Sequence, residues 1–153
     1  MTHQISTRDE QVYAGLVIPR VVPSFKVSSS DLVDFLKDRL RDRGPGGGDI
    51  NTIYVPVPPP KVPADRAGQK QYNVLVCHPY PSAAHAPVGD VLIRVPKGLY
   101  ARFAPNGEYA DVIEDVWAQV DDATASGQIV RAYQEEIEVS TEKGVELYIS
   151  IEL

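Results

Sequence analysis

With 153 residues, 43% apolar and 24% charged, the chain has the length and composition of one soluble globular domain. A net charge of −6 argues against a nucleic-acid-binding surface, which needs a basic stripe, and no apolar run approaches the roughly 18 residues of a membrane span. One cysteine, Cys77, excludes an intramolecular disulfide and fits a reducing cytosol. The opening MTHQISTRDEQ has neither the basic nor the apolar region of a signal peptide, so a cytoplasmic protein is expected.

In chain order, Met1 to Glu10 is polar and is expected to be frayed or a short lead-in. Gln11 to Ile18 is a β-prone run stopped by Pro19 and Pro23. Ser28, Ser29 and Ser30 offer an N-cap to a helix over DLVDFLKDRLRDRG. Its predicted apolar stripe is Leu32, Phe35, Leu36 and Leu40, with Lys37, Asp38 and Arg41 outside, and GPGGG at 44–48 ends it. Ile50 to Val57 is a second strand, Pro58 to Gly68 a proline-rich loop, and Tyr72 to His78 a central strand. After a loop to Asp90 and a short strand over Val91 to Val95, the C-terminal third reads strand, helix, strand, tight turn, strand.

The second helix places Ala110, Ile113, Val116, Trp117 and Val120 on one face and Asp111, Glu114, Asp115, Asp121 and Asp122 mostly opposite. Asn106 or Glu108 is its expected start and Gly127 its end. The order strand, helix, strand, strand thus occurs twice, over about 11–78 and 97–153, although the halves share little residue identity. This predicts an α+β fold: an antiparallel sheet with two helices packed on one face and a ligand cleft between duplicated halves.

Strand alternation sorts the side chains. Val145, Leu147, Ile149, Ile151 and Leu153 face the helices, which sends Tyr148 to the opposite face. Ile137 and Val139 are assigned to the helix side, and Glu136, Glu138 and Ser140 away from it. Leu99, Ala101 and Phe103 are core-like, with Tyr100 and Arg102 pointing away. Glu138, Tyr148 and Tyr100 are therefore expected on one face. A carboxylate among aromatic rings suits a cationic aromatic ligand; the plainer alternative is a solvated face on which Glu136 and Glu138 are exposed charges.

The run GLYARFAPNGEYADVIEDVWAQV, the IEV strand with its glutamate and the terminal LYISI resemble the GyrI-like small-molecule-binding domain, the effector-binding domain of AraC-type and MerR-type multidrug regulators. The resemblance implies that Glu138 is the pocket carboxylate, that Trp117 and Tyr148 line the pocket, and that Tyr100 and Tyr109 do so on weaker matches. The chain departs from the family in its short STEKG turn at 140–144, which bears on one rim of the pocket, and in Tyr148-Ile149-Ser150-Ile151, where many members carry Tyr-Ile-Pro-Ile.

The implied function is a free-standing protein that captures aromatic, often cationic, hydrophobic molecules. One alternative is a hydrolase opening cyclopropane rings of genotoxic natural products, with Glu138 activating water and Tyr148 donating or orienting. The other is a gyrase-inhibitor-like interaction protein acting through its acidic surface. The chain carries no helix-turn-helix segment, so a regulatory role implies a protein partner. Cys77 and His78 point to opposite faces of a strand, and with His85 and His3 they make no clamp; no metal or cofactor is expected. GPGGG follows a helix and lacks Lys-Ser/Thr, so it is no phosphate loop.

Overall fold

A computed structural model describes residues 3–21, 25–28, 30–43, 49–56, 72–141 and 144–152. Among these residues eight strands form one sheet: β1 (His3–Arg8), β2 (Gln11–Val21), β3 (Ile50–Pro56), β4 (Tyr72–Tyr80), β5 (Val91–Val95), β6 (Gly98–Phe103), β7 (Val130–Thr141) and β8 (Gly144–Glu152). The helices are α1 (Phe25–Ser28), α2 (Asp31–Asp42) and α3 (Val112–Ala125), with a 3-10 turn at Ala83–His85. The result is an α+β fold. The expected loop at 58–68 and the GPGGG run lie outside the described residues.

The strand order is β1-β6-β8-β7-β3-β4-β2-β5, and every neighbouring pair is antiparallel. Strands β2, β4 and β3 fill one half, and β6, β8 and β7 the other. Strands β3 and β7 meet at the centre, Ile53 opposite Ile137. The segment before Glu10, expected to be frayed, is instead the edge strand β1, with His3 to Arg8 paired to Phe103 to Gly98. Its polar composition suits an edge, where one side is open to solvent.

Connectivity bends this sheet. Strands β1 and β2 stand six places apart, ~29 Å in a flat sheet, yet Asp9 and Glu10 alone join them. Three Cα steps reach at most ~11 Å. Pro96 and Lys97 impose the same demand between β5 and β6. The sheet must therefore coil, bringing its ends together, and Arg8 donates to the Tyr13 hydroxyl at 3.2 Å across the closure.

Coiling gives each face its own core. The convex face packs Val74, Val76, Phe103, Leu147 and Ile149 against Val116, Trp117 and Val120 of α3 and Val33 and Leu40 of α2. The concave face closes on Tyr13, Ile53, Leu75, Cys77, Val95, Tyr100 and Ile137.

The helices depart from their sequence patterns in detail. Ser30 caps α2, accepting from the Val33 amide. Its buried positions are Val33, Lys37 and Leu40, whereas Leu32 (51% exposed) and Phe35 (56%) face solvent. The expected stripe is thus rotated, because α2 turns Lys37 inward toward a buried charge. Helix α3 starts later than expected: Asp111 is the cap and accepts from the Ile113 and Glu114 amides, while Asn106 and Glu108 precede the helix. Gly127, at φ +76°, follows the last turn. Asp115, expected outside, is buried and accepts from the Asn106 and Gly107 amides and Gln119.

Gly15 of β2, paired with Cys77 of β4, lies hard against the backbone of that strand. A Cβ there would lie 2.0 Å from the Val76 carbonyl oxygen and 2.6 Å from the Cys77 Cα, both backbone atoms of β4. Gly15→Ala is expected to cost about 3 kcal/mol, lowering the melting temperature by roughly 6–12 °C in a calorimetric scan; melting with wild type would refute so close an approach.

Candidate functional site

The convex core encloses a polar cluster between sheet and helices. On β7, Glu138 stands opposite Thr52 of β3 and Leu147 of β8. Directly opposed residues of antiparallel strands share a face, so Glu138 projects under the helices. Trp117 on α3 donates its indole N–H to Glu138 Oε1 at 3.4 Å. Lys37 on α2 brings its ammonium to 3.6 Å from Glu138 Oε2, with side-chain exposures of 6% and 0%. The Tyr54 ring meets Trp117 edge-on at 5.6 Å, and its hydroxyl is hydrogen-bonded to Ser28 on α1.

The parity assignment for β7 is therefore reversed. Ile137 and Val139 face the concave core, and Glu136 and Glu138 face the helices. The assignment presumed that apolar side chains mark the helix side, but both faces of this sheet are apolar. Each inward glutamate meets a base: Glu138 has Lys37, and Glu136 receives Arg131 at 2.7 and 3.1 Å. A bulge between Arg131 and Glu136, with Tyr133 at φ +55°, brings that arginine back over its partner.

The electrostatics are strained at Glu138. Loss of solvent pushes its carboxyl above the usual range, and Lys37, Ser28 and Trp117 pull it partly back. Burial also raises the Tyr54 hydroxyl strongly. Two buried polar atoms on adjacent strands, Glu138 Oε2 and Thr52 Oγ1, have no hydrogen-bond partner among the described residues. Such groups are uncommon in a finished core.

The remaining sequence candidates lie elsewhere. Tyr100 is buried in the concave core, its ring edge-on to Tyr148 at 6.5 Å. The guanidinium of Arg8 lies 4.2 Å from the Tyr148 ring centre. Tyr148 lines an open cleft of about 300 Å³ with Arg8, Gln11, Tyr13, Asn51 and Glu146. Tyr109 is 43% exposed in the segment before α3. The structure thus brings Trp117 to Glu138, and Tyr100 to Tyr148, on opposite faces of the sheet. A single bond attacked jointly by Glu138 and Tyr148 has no geometric basis.

Lys37, Tyr54, Thr52 and Ser28 were missed as site residues. Lys37 lies four residues after Val33 and three before Leu40, on the face that the structure buries, but a helical lysine is ordinarily read as solvent-facing. The other three depend on register, which the sequence pattern left open.

Cys77 is buried, its thiol pushed up by burial and directed at the Asn51 carbonyl oxygen at 3.4 Å. His78 donates from Nδ1 to the Asp49 carbonyl oxygen at 3.3 Å, and His85 is hydrogen-bonded to Ser82. Among the described residues no group of three or more His, Cys, Asp or Glu side chains could hold a metal ion.

The buried pair makes a testable thermodynamic unit. Lys37→Met alone strands the carboxylate and is expected to cost about 3 kcal/mol at neutral pH, whereas the double change Lys37→Met/Glu138→Gln restores wild-type stability or exceeds it. A carboxyl raised in the folded state favours folding below its unfolded value and loses that contribution as pH rises through the folded value. The Lys37→Met deficit should therefore shrink as pH falls toward 5 in denaturant titrations; a constant deficit would refute a stranded charge.

No curated protein matches the sequence. Among solved structures, an integron cassette protein from the mobile metagenome of Vibrio cholerae is similar, with 18% identity and a TM-score of 0.71 over 99% of this chain and 96% of that one. SAV2435 bound to tetraphenylphosphonium is similar at 13% identity and TM-score 0.64, over 99% and 94%. The EcmrR C-terminal domain follows at 10% and 0.53, over 98% and 96%. At these identities the likeness shows the fold. The sequence model of Cass2, the integron-associated effector-binding protein, matches residues 35–151, so the chain belongs to this effector-binding family.

Proposed function

We propose that this protein is a receptor for a lipophilic aromatic cation, which Glu138 neutralises beneath the helices. The observation that carries the proposal is a fully buried carboxylate, one of whose oxygens has only the loose Lys37 contact and no hydrogen bond among the described residues, beside an unbonded Thr52 hydroxyl and two aromatic side chains. A ligand with a delocalised positive charge meets the carboxylate electrostatically, and Tyr54 and Trp117 offer ring surface to its aromatic groups. Membership of an effector-binding family supports small-molecule binding, as does a neighbour of the same fold holding tetraphenylphosphonium. We extend this reading to a GyrI-like character, for which the effector-binding family is the support.

Reaching Glu138 requires a wall to move, since Trp117, Tyr54 and Lys37 close over it. Of α2 and α3 the lighter wall is α2, which buries Val33, Lys37 and Leu40 and half-buries Leu36, while α3 buries Asp115, Val116, Trp117, Gln119, Val120 and Ala123. Displacement of α2 costs less apolar burial than displacement of α3.

A second reading rests on the concave cleft, whose open volume of about 300 Å³ beside Tyr13 and Tyr148 could take a flat aromatic molecule without rearrangement. If a hydrolytic activity exists at the Glu138 site, Tyr54 and not Tyr148 is the tyrosine beside the carboxylate.

Calorimetric titration with tetraphenylphosphonium separates the readings. Glu138→Gln is expected to weaken binding by roughly tenfold or more, as loss of a buried charge partner does, with Trp117→Ala also weaker and Tyr148→Ala near wild type. Loss confined to Tyr148→Ala would move the site to the concave cleft.

A further inference from the structure

The geometry points to Lys37 as a built-in competitor for the Glu138 site, its ammonium standing where a ligand's cation would be neutralised. This rests on the reading of Glu138 as the ligand carboxylate and adds what sets its selectivity.

Three observations carry it. The first is the orientation of α2. A helix docked by hydrophobicity alone would turn Leu32 and Phe35 inward; this one leaves both exposed and buries a lysine between Val33 and Leu40. The helix lies on Val33, Leu36 and Leu40 with Lys37 among them, so that the ammonium takes an inward place while two larger apolar side chains stay outside.

The second is the looseness of the contact. At 3.6 Å the Lys37–Glu138 approach is longer than the 2.7–2.9 Å of a charge-assisted hydrogen bond. Glu138 Oε2 makes no hydrogen bond among the described residues. A pair taken out of water yet poorly bonded recovers little of its desolvation cost, so exchange of one cation for another is favourable when the incoming charge is weakly hydrated.

The third is the surroundings of the ammonium. Trp117 donates to the other oxygen of Glu138, and Tyr54 packs on Trp117. Expelling Lys37 therefore leaves a carboxylate walled by rings.

A ligand entering this site must supply one positive charge and enough apolar surface to replace the lysine stem. A bulky monocation with delocalised charge does both; a neutral aromatic does not compensate Glu138. While Lys37 is in place the competent fraction is small, and apparent affinity falls by that fraction.

The test is tetraphenylphosphonium titrated against the full chain carrying Lys37→Met, Lys37→Gln, Lys37→Arg, Glu138→Gln or Lys37→Met/Glu138→Gln, with folding checked by circular dichroism. Lys37→Gln serves if the methionine variant does not fold, because its amide can still donate to the carboxylate. Lys37→Met and Lys37→Gln should each bind roughly tenfold tighter than wild type. Lys37→Arg, which keeps a competing charge, should bind no tighter than wild type, and the double variant no tighter than Glu138→Gln. Unchanged or weaker binding by the folded neutral variants, with Glu138→Gln still impaired, overturns the competitor role and leaves the carboxylate site standing. Tighter binding by Lys37→Arg would also overturn it, since the gain would not come from removing charge. Binding indifferent to Glu138 in every background overturns both readings.

Discussion

Two links of two residues each, Asp9–Glu10 and Pro96–Lys97, constrain everything else in this molecule. Each joins strands at opposite ends of the sheet order, so the sheet cannot lie flat. Coiling then produces two cores where an open antiparallel sheet would have one core and one wet face. The concave core, with Tyr13, Ile53, Leu75, Tyr100 and Ile137, exists because the ends of the sheet approach each other. Gly15 is needed because β2 is pressed onto β4 there, with no room for a Cβ.

The same double burial explains the inward glutamates. On a one-sided sheet, Glu136 and Glu138 could turn to water. Here both faces are packed where β7 passes the sheet centre, and Ile137 takes the concave position opposite Ile53 and Tyr148. The glutamates must then be matched from within. Arg131 does this tightly for Glu136, and Lys37 does it loosely for Glu138. The two contacts differ: Arg131 and Glu136 are closed by several hydrogen bonds, whereas at Glu138 one oxygen and the neighbouring Thr52 hydroxyl have no hydrogen bond among the described residues.

Much of the architecture was legible in the sequence. Strands β2 to β8 and helices α2 and α3 follow from periodicity and turn residues, and the parity of β6 and β8 holds: Leu147 and Ile149 lie under the helices and Tyr148 opposite. Strand β1 was not legible, because an edge strand needs little hydrophobicity and its partner, β6, lies about ninety or more positions away. The rotation of α2 was hidden for an electrostatic reason. A lysine within a helix is ordinarily read as solvent-facing, and only a carboxylate from a distant strand gives it cause to turn inward. Parity failed at β7 because alternation tells the two faces of a strand apart without saying which is which when both are buried. The pairing of Glu138 with Trp117 rests on residues that both stood out in the sequence; Tyr54, Thr52 and Ser28 join them through register and helix placement alone.

One further property follows from the position of Trp117. It is the chain's single tryptophan, and its indole N–H points at a carboxylate that sits beside an ammonium. Indole emission shifts with the local field and with access of water. The protein therefore carries an intrinsic optical reporter at the one place where charge exchange, helix displacement and hydration would coincide. Near-ultraviolet excitation reads the state of that buried contact without a label, against a background of tyrosines alone.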